Sequence, residues 1–137
     1  MADQASVRNA AQLIEAAPFN RLLGMKLESA GHGEAVAMLP FDLKTLNPGD
    51  ANVPVHGGAI ASLVDFAACA AVWTLPETRR SATVAMSVNF TGPAVSSDLL
   101  AHARVRRKGK TVASLTVEVR DRAGALVADA IVTYKIS

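Results

Sequence analysis

The chain has 137 residues, half of them hydrophobic and 19% charged, with 14 Lys and Arg against 12 Asp and Glu and a formal net charge of +2. That length suits one domain with a real core and is short for two, and so even a charge balance with 4% aromatic residues argues against nucleic acid as a partner. The single cysteine, Cys69, excludes an intrachain disulfide, and Met1 to Ser6 shows no charged segment followed by an apolar one, so a cytoplasmic location is expected.

Residues 3–17 place Val7, Ala10, Ala11, Leu13 and Ile14 at helical spacing, with Asp3 or Ser6 as candidate N-caps and Pro18 as the stop, which predicts an amphipathic N-terminal helix. Phe19 to Gly24 reads as a connector with one helical turn ended by Gly24. Met25 to Ser29 and Glu34 to Leu39 are expected strands, and the two glycines of Gly31-His32-Gly33 suit a tight turn between them. From Pro40 to Val55 the residues are turn formers, Asn47-Pro48-Gly49-Asp50, Asn52 and Pro54 among them, and a loop of that length is more often functional than filler.

The next stretch organises the rest. Residues 57–75 are apolar on every face, which predicts a helix covered all round, and yet carry one carboxylate, Asp65, at the centre. Its length approaches that of a membrane span. The alternating segments that follow decide against a membrane and for the core helix of a soluble domain. In Thr83 to Thr91, Val84, Met86, Val88 and Phe90 share one face and Thr83, Ala85, Ser87 and Asn89 the other. Leu99 to Arg107 and Thr111 to Arg120 form a hairpin around Lys108-Gly109-Lys110, and Ala125 to Ile136 is the last strand. The expected fold is α+β: one domain over 1–137, an antiparallel sheet of about six strands wrapped around one long central helix, with an extra N-terminal helix. The surplus of apolar residues favours an oligomer.

Gly57 and Gly58 stand where the first N–H groups of the helix lack intrahelical partners, and without a Cβ a carbonyl oxygen can approach them closely. The simpler reading is that they only let the chain turn into a packed helix. Asp65 lies eight residues beyond Gly57, roughly 12 Å along the axis. One small reacting group cannot touch both, so a shared reaction requires the opposite residue of a second subunit related by a two-fold axis. As a structural residue, Asp65 is instead a carboxylate satisfied by neighbouring strands. Cys69 inside the apolar helix reads as a packing residue, and His32 and His102 as turn and strand residues. The histidines and cysteine have no zinc-ligand spacing, and phosphate-loop, dinucleotide and nucleophile-elbow signatures are absent.

His56-Gly57-Gly58 followed by Asp65, an Asn-bearing loop before them and the strand end Asn89-Phe90-Thr91-Gly92-Pro93-Ala94 resemble the hotdog-fold thioesterases of the phenylacetate-degradation type, related to the 4-hydroxybenzoyl-CoA thioesterases. The likeness runs from about Phe19 to Tyr134. It implies the hotdog fold, a homodimer with two shared active sites that commonly doubles to a homotetramer, and hydrolysis of a small or medium acyl-CoA, arylacetyl groups included. No cofactor is implied, since CoA is part of the substrate. Carried over, Asp65 is the base or nucleophile, the Gly57 N–H of the partner subunit polarises the thioester carbonyl, His56 helps fix the helix start, and Thr83 holds the water. Where the family places an Asn six residues before the motif His, this chain has Asp50, with Asn47 and Asn52 on either side as candidates to reach the thioester. Ala85 stands where an acidic residue is frequent. Arg107, Lys108, Gly109 and Lys110, with Arg104, Arg106, Arg79 and Arg80 near them, are candidates for the CoA phosphates, against the reading of a solvated hairpin. A non-catalytic acyl-CoA-binding module is the main alternative, and a hydratase or dehydratase on acyl-CoA a further one.

Overall fold

The computed structural model describes residues 12–137. Residues 12–16 are helical, and the remainder of the helix expected over 3–17 lies outside the described residues. Pro18 both ends that helix and opens the next. Ala17 is extended (ψ 131°), as the residue before a proline prefers, and Pro18 sits in the first turn of α1 (Pro18–Leu23), where its missing N–H leaves nothing unpaired. Gly24 closes α1 in the left-handed region (φ 70°).

Six strands follow: β1 (Lys26–Gly31), β2 (Glu34–Leu39), β3 (Ser81–Phe90), β4 (Leu99–Lys108), β5 (Val112–Asp121) and β6 (Leu126–Ile136). They form one antiparallel sheet in the order β1-β2-β4-β5-β6-β3. The central helix α2 (Gly57–Trp73) lies against the inner face, in contact with every strand. The inner face is rich in alanine, with Ala35, Ala37, Ala101, Ala103, Ala113, Ala128 and Ala130 buried opposite Ala67, Ala68, Ala70 and Ala71 of the helix. Small residues on both sides let sheet and helix approach closely. Leu63, Val64, Phe66 and Val72 fill the remaining space against Leu39, Leu99, Leu115 and Val132, each contributing on the order of 1.5–3 kcal/mol by burial.

Several expected boundaries and faces shift. The helix predicted to reach residue 75 ends at Trp73, because Thr74 caps it: its Oγ1 donates to Ala71 O (2.7 Å) and accepts the Gly33 N–H (2.7 Å), tying the helix end to the β1-β2 turn. In that turn Gly31 still belongs to β1, and the two positive-φ residues are His32 (54°) and Gly33 (77°). The predicted faces of β3 are also wrong at its start. A bulge between Thr83 and Ala85 breaks the alternation, so Thr83 joins Met86 on the face toward α2 while Val84 points out, 62% exposed. Finally, α2 is not covered all round. Gly58, Ala61, Ser62, Asp65 and Cys69 form a stripe that the sheet leaves open. Among the described residues no helix is long and apolar enough to cross a membrane.

Candidate active site

The start of α2 is held from two sides. The His56 N–H donates to Thr45 O (2.8 Å) and the Val55 N–H to Ala94 O (2.9 Å), so the turn after β3 and the segment before the helix fix where the first helical residue sits. His56 is the N-cap: its Nδ1 accepts the Gly58 N–H at 2.8 Å, which leaves the proton of a neutral imidazole on Nε2. The two glycines then have separate tasks. A Cβ on Gly58 would lie 3.0 Å from His56 Nδ1, so Gly58 makes room for the capping ring. The Gly57 N–H has no hydrogen-bond partner among the described residues, and the Phe90 ring lies 3.4 Å from where its Cβ would be. The strand-end motif therefore has a physical role: Phe90 packs on Gly57 and Ala94 anchors Val55.

Eight residues along the helix, Asp65 is half-buried and faces a cavity of about 570 Å³. Thr83 Oγ1 donates to Asp65 Oδ1 at 2.7 Å and the Tyr134 hydroxyl donates to the same oxygen at 2.5 Å. Thr83 and Tyr134 are cross-strand partners on β3 and β6, so one row of the sheet supplies both donors. With Oδ1 doubly engaged, Oδ2 has no partner among the described residues and is the oxygen free to act on a ligand in the cavity. Burial, and after it the neighbouring Cys69 and Asp65, push the Tyr134 phenol far above its ordinary pKa, so it acts as a donor and not as a phenolate.

Cys69 lies one helical turn beyond Asp65 on the cavity wall, and burial pushes its thiol upward too, against a nucleophilic role. Its neighbour Ser81 accepts the Trp73 Nε1–H at 3.0 Å. Phe66 and Met86 line the cavity, whereas Leu63 is fully buried in the core. A second cavity, of about 360 Å³, runs over His56 and Gly58 and meets the first at Ser62 and Phe19.

Asn47 and Asn52 line neither cavity. The bridge between Leu46 and Val55 and the Asn47 N–H donated to Pro54 O (3.0 Å) close the loop before it reaches Asp65 of the same chain. Asp50 shapes the loop tip, accepting the Asn52 N–H at 2.8 Å. Arg107, Lys108 and Lys110 are exposed around Gly109. Lys108, Ala113, Tyr134 and Thr83 are register partners in one row across β4, β5, β6 and β3. Arg79 and Arg80, whose N–H groups both bond Ser137 O, and Lys135 lie at the same end of the sheet. None of Arg79, Arg80, Lys108, Lys110 and Lys135 is in an ion pair among the described residues.

Sequence reasoning missed Tyr134, which reads as one more apolar position of the last strand. It also gave the N-terminal segment no part in the site, although Ile14, Ala17, Phe19 and Asn20 form one wall of the cavity.

Comparison with known proteins places this geometry. Residues 54–128 match the thioesterase superfamily. A putative esterase of Halobacterium salinarum is 36% identical over 100 residues, covering 71% of this chain and 66% of that protein. The medium/long-chain acyl-CoA thioesterase YigI of Salmonella typhimurium is 31% identical, over 87% of this chain and 85% of its own length. Among solved structures, the PaaI protein of the Escherichia coli phenylacetic acid degradation operon superposes with a TM-score of 0.84 at 24% identity, covering 97% of this chain and 94% of that one, which shows the hotdog fold.

Proposed function

The chain belongs to the thioesterase superfamily and is a thioester hydrolase, and from that premise we propose that it cleaves acyl-CoA esters at a site shared between two subunits, with Asp65 of one and the Gly57 N–H of the other. The observation that carries this reading is a complementary pair of groups on α2, each without a partner among the described residues: Oδ2 of a carboxylate whose other oxygen is held by Thr83 and Tyr134, and the N–H at the helix start.

The two lie roughly 12 Å apart along one helix. A two-fold axis that runs two α2 helices antiparallel brings each beside the other's partner. The edge strand β3 supports such a dimer: it is ten residues long, pairs among the described residues only with β6, and exposes Val84 (62%) and Phe90 (54%), an edge that a second copy would cover. In this arrangement Asn47 or Asn52 reaches a thioester only from the partner side.

In the reaction, Asp65 Oδ2 takes a proton from water as that oxygen attacks the thioester carbonyl, or attacks the carbonyl itself to give an anhydride that water then opens. The oxyanion forms against the Gly57 N–H at the positive end of α2. Its collapse expels the CoA thiolate, a leaving group stable near neutral pH, so no strong general acid is required. Thr83 and Tyr134 fix the carboxylate's orientation, and Thr83 keeps lone pairs with which to hold the water. The cations Arg79, Arg80, Lys108, Lys110 and Lys135, without ion-pair partners among the described residues and gathered at the end of the sheet where Lys108 joins the Thr83–Tyr134 row, receive the CoA phosphates.

The test is release of free CoA thiol from acetyl-, octanoyl-, palmitoyl- and phenylacetyl-CoA. Wild-type turnover with a fall of at least about 100-fold in kcat for Asp65→Asn supports the assignment. Unchanged kcat in Asp65→Asn removes Asp65 from the chemistry, and binding without turnover in both proteins favours the non-catalytic module.

A further inference from the structure

The sheet does not close around α2. Its order places β1 at one edge and β3 at the other, and the segment 12–23 lies across the gap between them. On the β1 side it is fastened by Glu15 Oε1, which accepts the Leu27 N–H at 2.6 Å, and by Asn20 O, which accepts the Met25 N–H at 3.1 Å. Asn20 Nδ2 donates to Ile14 O at 2.7 Å and so braces the bend at Ala17. Toward β3 no such hydrogen bond is made among the described residues, and α1 buries none of its own residues. What lies beneath the segment is the cavity, with Ile14, Ala17 and Phe19 on the segment's side and Phe66 and Met86 across from it.

An apolar wall over an otherwise open carboxylate selects by volume, since each methylene buried under it adds about fourfold in binding. We propose that the segment 14–20 is the wall that sets the length of the acyl group, with Ala17 and Ile14 as specificity-determining residues, and that acyl groups longer than acetyl are the class it favours. This rests on the acyl-CoA reading above. Ala17 is the small residue of the wall, so enlarging it fills the space beneath, whereas shortening Ile14 enlarges that space. Neither residue takes part in the hydrogen bonds that hold Asp65.

The experiment measures kcat/KM for acetyl-, octanoyl- and palmitoyl-CoA in wild type, Ala17→Phe and Ile14→Ala. Wild type is expected to prefer octanoyl- over acetyl-CoA by about tenfold or more. Ala17→Phe is expected to lower octanoyl-CoA turnover at least about tenfold while acetyl-CoA changes by less than about threefold. Ile14→Ala is expected to move the preference the other way, toward palmitoyl-CoA. An equal loss at all chain lengths, or an unchanged profile in both variants, overturns the assignment while leaving the thioesterase intact. Absence of wild-type turnover on every ester overturns the thioesterase reading and this one with it.

Discussion

Asp65 is a carboxylate with two unlike oxygens, and the difference is made by residues far from it in sequence. Thr83 and Tyr134 both donate to Oδ1, so the carboxylate presents Oδ2 in one orientation instead of rotating. Removing one such charged hydrogen bond costs about 1.5–3 kcal/mol. Tyr134→Phe is therefore expected to lower kcat roughly 10- to 100-fold with little change in KM. The same phenol gives a pH dependence of stability. Its proton is held more tightly in the folded chain than in the unfolded one, where a tyrosine ionises at about pH 10. The stabilisation is thus complete below pH 10 and declines as the pH rises above it. Urea unfolding at pH 8 and pH 11 is expected to show wild type losing on the order of 1 kcal/mol more than Tyr134→Phe over that interval. Equal losses would mean that the phenol is not held in this way.

At the scale of elements, the β1-β2 turn and the bulge in β3 show what the chain's pattern conveys and what it does not. The turn uses His32 at φ 54° next to Gly33 at φ 77°, a pair of left-handed residues in which an asparagine serves better than a histidine. His32→Asn is expected to stabilise the protein by about 0.5–1 kcal/mol in urea unfolding without altering activity, and a destabilised variant would show that the imidazole makes an uncounted contact. The helix with its His56-Gly57-Gly58 start and Asp65, the hairpin of β4 and β5, and the number of strands were legible because local periodicity and turn residues announce them. The face of Thr83 was not: a bulge has no signature in a run of alternating residues, and one extra residue reverses every side chain before it. Tyr134 escaped for a related reason, since Asp65 lies 69 positions away on the helix and only the packing of α2 on the sheet brings the two together. The wall at Ile14 and Ala17 depends on the gap between the first and last strands of the sheet order, which no local pattern encodes.

At the scale of the molecule, two asymmetries give the catalytic reading its form. One end of the sheet gathers Arg79, Arg80, Lys108, Lys110 and Lys135 without carboxylate partners among the described residues, although the chain as a whole is nearly balanced in charge. Charge reversal at Lys108 and Lys110 is expected to raise KM for an acyl-CoA about tenfold while leaving an acyl thioester of N-acetylcysteamine, which lacks the nucleotide, nearly unchanged; equal effects on the two would remove these lysines from phosphate binding. The other asymmetry is that Asp65 and the Gly57 N–H of one chain stand roughly 12 Å apart along α2, so the proposed reaction needs one group from each of two chains. Gly57→Pro deletes the free N–H at a position where helices accept proline, preceded by a His56 backbone (ψ 134°) that suits it. Asp65→Asn removes the carboxylate proposed as base or nucleophile. Each homodimer should be inactive, but a heterodimer of the two, isolated through different tags on each chain, contains one site with both defects and one with none. The shared-site account predicts that this heterodimer recovers about half of the wild-type rate of CoA release. A heterodimer as inactive as its parents would contradict it and place both groups of each site within a single chain.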